Sequence, residues 1–308
     1  MNFNTIRIVL SYFIFFSFTI LSSNDSEIKY FQQELKYDIE VSLDDKSHKL
    51  NAYLKLEYKN NSKENLDFLW FHLWPNAYKN NTSAFAKQML EFGNTKFHFS
   101  NDKDKGFIDS LDFKVNNKKV TLEYHNQWND VAKIILNKPL KSGETITIET
   151  PFSVKLPKVF SRLGHSGKHY EITQWYPKPA VYDRNGWHPM PYLNMGEFYS
   201  EFGTFDVKIT LPKEYIIMAT GDLVDGEKEY EWLDSLSNEG NKFLEMSDKE
   251  IKKWYKKYKK QKSKKESWFS KILNKSENDS IIVKETTFKT LHFHQTNVHD
   301  FAWFADKN

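Results

Sequence analysis

Apolar residues recur at every second position in three separate stretches, and that alternation restricts what this chain can fold into more than any other feature. Tyr37, Ile39, Val41 and Leu43 alternate with polar residues, Leu50, Ala52, Leu54, Leu56 and Tyr58 repeat the pattern, and Phe205, Val207, Ile209 and Leu211 give a third run. Successive side chains of a strand point to opposite faces, so period two gathers the apolar ones on one side. Asp44, Asp45 and Lys46 lie between the first two runs as turn residues, which predicts a hairpin with one wet face and one buried face. Residues 66–74 (LDFLWFHLW) are apolar at both parities, as in a strand covered on both sides, and Pro75 and Asn76 end them. Further strands are predicted over 120–124, 131–136 and 145–154. One short helix is predicted over 81–93, capped by Asn81 or Thr82, with Phe85, Met89 and Leu90 as its apolar stripe and Gly93 closing it. Many short strands joined by turns predict a mainly β fold: an antiparallel, saddle-like β-sandwich with a short helix and a charged, partly helical insertion.

That insertion spans 226–280. Nine lysines crowd 252–265, with Trp254, Tyr255 and Tyr258 among them, and β-structure is expected to resume at Ile281. A basic amphipathic helix can meet anionic lipid or nucleic acid. The acidic flanks (Glu227, Glu229, Glu231, Asp234, Asp248, Glu250) offset its field, so a solvated insertion without membrane contact is expected. The whole chain of 308 residues carries 44 basic and 41 acidic side chains, a net charge of only +3, and nothing global calls for a nucleic-acid partner. The stretch 157–201 is rich in Pro, Gly and aromatics and holds three of the ten histidines. A long loop inside a compact domain is more often functional than not.

At the N-terminus, Arg7 precedes an apolar run over 8–21, followed by Ser22, Ser23 and Asn24. A positive start, a short apolar run and a small-residue exit predict a cleaved signal peptide over 1–23, and hence a periplasmic or extracellular destination. The run is short of the roughly 20 residues of a membrane-spanning helix. With no cysteine, disulfides and thiolate metal sites are excluded.

Motifs for self-contained chemistry are missing from the sequence. No histidine is followed by glutamate, so H-E-x-x-H does not occur, and no phosphate-binding glycine pattern is present. Gly164-His165-Ser166-Gly167 lacks the G-x-S-x-G order of a nucleophile elbow. His292 and His294 share a strand face and could join His299 around a metal, but their aromatic neighbours Phe293, Phe301, Trp303 and Phe304 favour a structural strand.

Several long blocks carry a resemblance. ITQWYPKPAVYDRNGWHPMPY (172–192), GEFYSEFGTFDVKITLP (196–212), MATGDLV (218–224), LDFLWFHLWPNAYKNN (66–81) and FHQTNVHDFAWFAD (293–306) together resemble bacterial members of the aminopeptidase N family of zinc metallopeptidases. The resemblance implies that 24–225 and the return strands of 281–308 form the saddle-like N-terminal domain that precedes a thermolysin-like catalytic domain. In that family the catalytic domain supplies G-x-M-E-N, H-E-x-x-H and a distant glutamate, which bind zinc and activate water. None of these occurs here, so this chain is expected to bind no zinc and to be inactive alone, as a fragment whose catalytic domain is absent. The family's N-terminal domain also contributes a glutamine or glutamate that helps bind the free α-amine of the peptide substrate. Gln174 is the matching position, Glu171 is the second candidate, and Tyr176, Tyr182 and Trp187 are candidates for the pocket wall. Gln174 could equally satisfy loop backbone. A rival expectation is a stand-alone secreted β-sandwich that binds a partner without catalysis.

Overall fold

The computed structural model describes residues 30–273 and 287–307. The expected signal peptide therefore lies outside the described residues, as does the expected restart of β-structure at Ile281.

The fold is mainly β, with antiparallel pairing predominant and no closed barrel among the described residues. Strands β1 (Glu34–Asp44) and β2 (Lys49–Lys59) form the predicted hairpin, with Leu35, Tyr37, Ile39, Val41 and Leu43 buried opposite Tyr58, Leu56, Leu54 and Leu50. At about 1.5–3 kcal/mol for each fully buried large apolar side chain, one such face supplies most of what orders the hairpin. Its turn is set by Asp44, whose carboxylate accepts hydrogen bonds from Lys46 N (2.9 Å) and Ser47 Oγ (2.6 Å).

Strands β3 (Leu66–His72), β4 (Val131–Leu140), β5 (Thr145–Lys155), β6 (His169–Ile172), β7 (Gly203–Pro212), β8 (Ile216–Ala219), β9 (Asp222–Val224), β10 (Phe288–Val298) and β11 (Trp303–Asp306) complete the main elements. The largest sheet runs β9-β10-β7-β1-β2-β5, extended by short strands at 107–119. Within it β1 and β7 pair in parallel, Tyr37 opposite Phe205 and Ile39 opposite Val207. Antiparallel pairing predominates as expected, and this parallel pair joins strands far apart in the chain, which a hairpin cannot do. A second sheet pairs β3 and β4 between Lys178–Pro179 and Thr121–Tyr124, and a third pairs β6, β11 and β8 with Gly164–Ser166.

The helix α1 (Ala84–Glu91) is shorter than expected, and neither Asn81 nor Thr82 caps it. The amide of Thr82 is taken by Asn80 Oδ1 (3.0 Å), and Asn81 Nδ2 donates to His98 O (3.0 Å). Ser83 is the cap instead, its Oγ accepting from Ala86 N at 3.1 Å. Gly93, at φ +74°, closes the helix as expected, with Gly93 N donating to Leu90 O and Asn94 N to Met89 O. Phe85, Ala86 and Met89 form the buried stripe, whereas Leu90 is exposed. The strand over 66–74 ends early, at His72, because Leu73 N turns to Asp130 O (2.7 Å) and Trp74–Tyr78 coils into a 3-10 turn started by Pro75.

Between β9 and β10 stand two helices, α2 (Glu227–Leu244) and α3 (Asp248–Leu273). No helix of the described residues is long and apolar enough to cross a membrane.

Candidate functional site

Glutamine 174 occupies a left-handed backbone conformation (φ +54°), uncommon for any residue other than glycine. It lies two residues after β6, in a bent segment that becomes strand only at Lys178–Pro179. Gln174, Tyr176 and Lys178, at every second position of this segment, all meet one carboxylate, Asp300, from the segment joining β10 to β11. Gln174 Nε2 donates to Asp300 Oδ2, Tyr176 OH donates to Asp300 Oδ1 at 2.9 Å, and Lys178 Nζ lies 2.7 Å from Oδ1. Lys178 Nζ also donates to Gln174 Oε1 at 3.1 Å, which fixes the amide's orientation, since its oxygen must face the ammonium and its nitrogen the carboxylate. The intervening Trp175 points the other way, is fully buried, and donates from Nε1 to Phe301 O at 3.0 Å.

The ammonium group of Lys178 is thus enclosed by an amide oxygen, a carboxylate and two aromatic faces, Trp74 and Tyr176, each 5.2 Å away. Its side chain is 2% exposed, against 16% for Asp300. Burial lowers the pKa of Lys178 from the ordinary lysine value, and the Asp300 charge opposes that fall. Burial also works against the charge on Asp300, but Lys178 and the hydrogen bonds from Lys178, Tyr176 and Phe301 N outweigh it and hold the carboxyl below the usual range. Around this pair, burial followed by the Asp300 charge raises Tyr37 and Tyr176 far above the usual phenol range, so both remain neutral donors. His72, beside Trp74 at 4.3 Å between ring centroids, is pulled down to about 3 by burial and by Lys178, and it too is neutral. The site is therefore a charge-balanced ammonium cage, in which Asp300 meets Lys178, Tyr176 and Gln174, the last two 124 and 126 positions earlier in sequence.

Of the residues singled out in the sequence, Gln174 and Tyr176 meet here. Tyr176 is 1% exposed, so within this chain its ring packs the cage and offers little surface for a pocket wall. Glu171 is elsewhere, on the small sheet opposite Phe304, with His169 Nε2 at 3.5 Å. Tyr182 and Trp187 pair across their own short hairpin, half-buried, with ring centroids 4.9 Å apart. Sequence reasoning quoted the blocks that contain Lys178 and Asp300 without singling either out. The only signal for Lys178 is its two-residue step from Tyr176, and nothing local points to Asp300.

His292 Nε2 and His294 Nδ1 both meet Asp206 Oδ1, at 3.1 and 3.0 Å, while His299 lies against Phe202 instead. Among the described residues no group of three or more His, Asp or Glu side chains is placed to hold a metal ion.

No protein-family model matches this chain. No curated protein matches it either. Among solved structures, an M1 zinc metallopeptidase from Deinococcus radiodurans is similar over 90% of this chain at 12% identity, with a TM-score of 0.41, and a mutant of it at 12% identity gives 0.43. The same mutant bound to a Tyr-Ser-Ala substrate gives 0.41 at 12% identity. This chain spans 42% of the length of those proteins. A likeness so distant carries no argument about chemistry.

Proposed function

We propose that this chain is the non-catalytic, substrate-flanking β-domain of an exported zinc aminopeptidase, and that it helps receive the free amino end of a peptide. The zinc ligands and the water-activating glutamate belong to polypeptide outside these 308 residues. Support comes first from the sequence blocks that resemble the aminopeptidase N family. The observation that carries the reading is the state of Gln174: strained backbone, buried amide, and an oxygen already bound to an ammonium group, that of Lys178. Backbone strain of this kind persists only where surrounding structure over-determines it, and it concentrates at functional positions. An amide oxygen has two lone pairs, so one can stay on Lys178 while the other accepts from an incoming amine.

The test is a nuclear magnetic resonance titration of the whole chain with a dipeptide amide and with its N-acetylated form. The free amine is predicted to shift the Gln174 side-chain amide signals, and the acetylated peptide to leave them unmoved. Equal shifts from both peptides, or none at Gln174 from either, would remove the assignment.

A further inference from the structure

We infer that helix α3 is a contact surface for an anionic lipid bilayer, with the β-layers held off the membrane. Three observations carry this beyond the sequence, which alone predicted a solvated insertion. The first is continuity: 248–273 is one helix of 26 residues, about 39 Å long at 1.5 Å per residue.

The second is its two faces. Ile251, Trp254, Tyr255 and Tyr258 follow the i, i+3, i+4, i+7 spacing and make one stripe, each 39–51% exposed. Trp254 and Tyr258 stack at 5.2 Å, so the stripe is a formed apolar ridge. At 100° per residue, Lys253, Lys256 and Lys260 fall on the opposite side, while Lys252, Lys259 and Lys257 flank the ridge, where long stems can reach out to headgroups. Between Ile251 and Lys265 there are nine lysines and no acidic residue.

The third is attachment. Helix α2 is anchored to the β-layers, through Glu229 against Lys289 (2.5 Å) with Lys289 over the Trp232 ring (4.0 Å). Helix α3 is not: among the described residues no ion pair or side-chain hydrogen bond joins it to a β-strand, and its contact with α2 is Trp254 against Phe243, at 4.6 Å between ring centroids. Trp254 is thus partly covered by Phe243, while Tyr255 and Tyr258 keep 51% and 41% of their surface exposed. A lysine-flanked stripe of Trp and Tyr matches the chemistry of an anionic bilayer interface, with aromatic rings at headgroup depth and ammonium groups among phosphates. An acidic protein would satisfy the lysines and leave the ridge wet.

Sedimentation of the whole chain with vesicles of phosphatidylcholine alone, or of phosphatidylcholine with phosphatidylglycerol, tests this. Binding is expected only to the anionic vesicles and is expected to fall as salt is raised from about 0.1 M to about 0.5 M. A variant with Trp254→Ser, Tyr255→Ser and Tyr258→Ser, and another with Lys252→Gln, Lys256→Gln and Lys259→Gln, should each lose at least about tenfold in vesicle affinity. Trp254→Ser also removes the contact with Phe243, so circular dichroism checks the helix content of the aromatic variant, and the lysine variant, which keeps that contact, tests the surface independently. No binding to anionic vesicles, equal binding by both variants, or binding to heparin without binding to vesicles would each overturn the inference.

Discussion

Asp300 is the residue on which the local account turns, because among the described residues it is the sole carboxylate partner of a lysine side chain that is 2% exposed. Removing one member of a buried pair leaves the other charged and dry, which typically costs about 3–5 kcal/mol. Asp300→Ala is predicted to destabilise by about that much in urea unfolding, whereas Asp300→Leu combined with Lys178→Met should recover most of the loss. If the single and double variants unfold alike, Lys178 is not held by this pair. The sequence displays Gln174, Tyr176 and Lys178 within one block. Their common partner lies 126 residues from Gln174. That is why Gln174 could be singled out by resemblance, while the cage around it could not be read.

The strand elements were the most legible, because burial on one face writes itself into the sequence as period two. Tyr37 to Leu43 and Phe205 to Leu211 alternate in the structure as they do in the chain. That β1 and β7 run parallel was not legible, since alternation is the same in either direction. The cap of α1 was misplaced for a related reason: Asn80, Asn81, Thr82 and Ser83 are all capable caps, and a local bond from Thr82 to Asn80 and a longer-range one from Asn81 to His98 leave Ser83 as the cap. The loop entering β7 carries a titratable consequence. Glu201 is 4% exposed, and burial pushes it up to about 7, against hydrogen bonds from the Gln33 and Tyr182 amides. A carboxyl whose folded pKa is raised favours the protonated form, so its cost is absent below the ordinary value of 4.5, grows as pH rises to about 7 and is constant above that. Glu201→Gln is predicted to raise stability relative to the parent by about 1 kcal/mol or more at about pH 8, and to give little gain at about pH 4.5. Urea unfolding at the two pH values checks this, and an equal offset at both would mean that Glu201 does not titrate in this range.

For the whole molecule, a mainly β body encloses an ammonium cage and carries a basic helix, while the sequence provides no H-E-x-x-H. The central proposal is that this chain recognises a free amino end without itself activating water. The direct measurement is to incubate the purified whole chain with zinc and aminoacyl arylamides, following arylamine release and the zinc retained after dialysis. The account predicts no release above the blank and no stoichiometric zinc; zinc-dependent turnover that a chelator abolishes would contradict it.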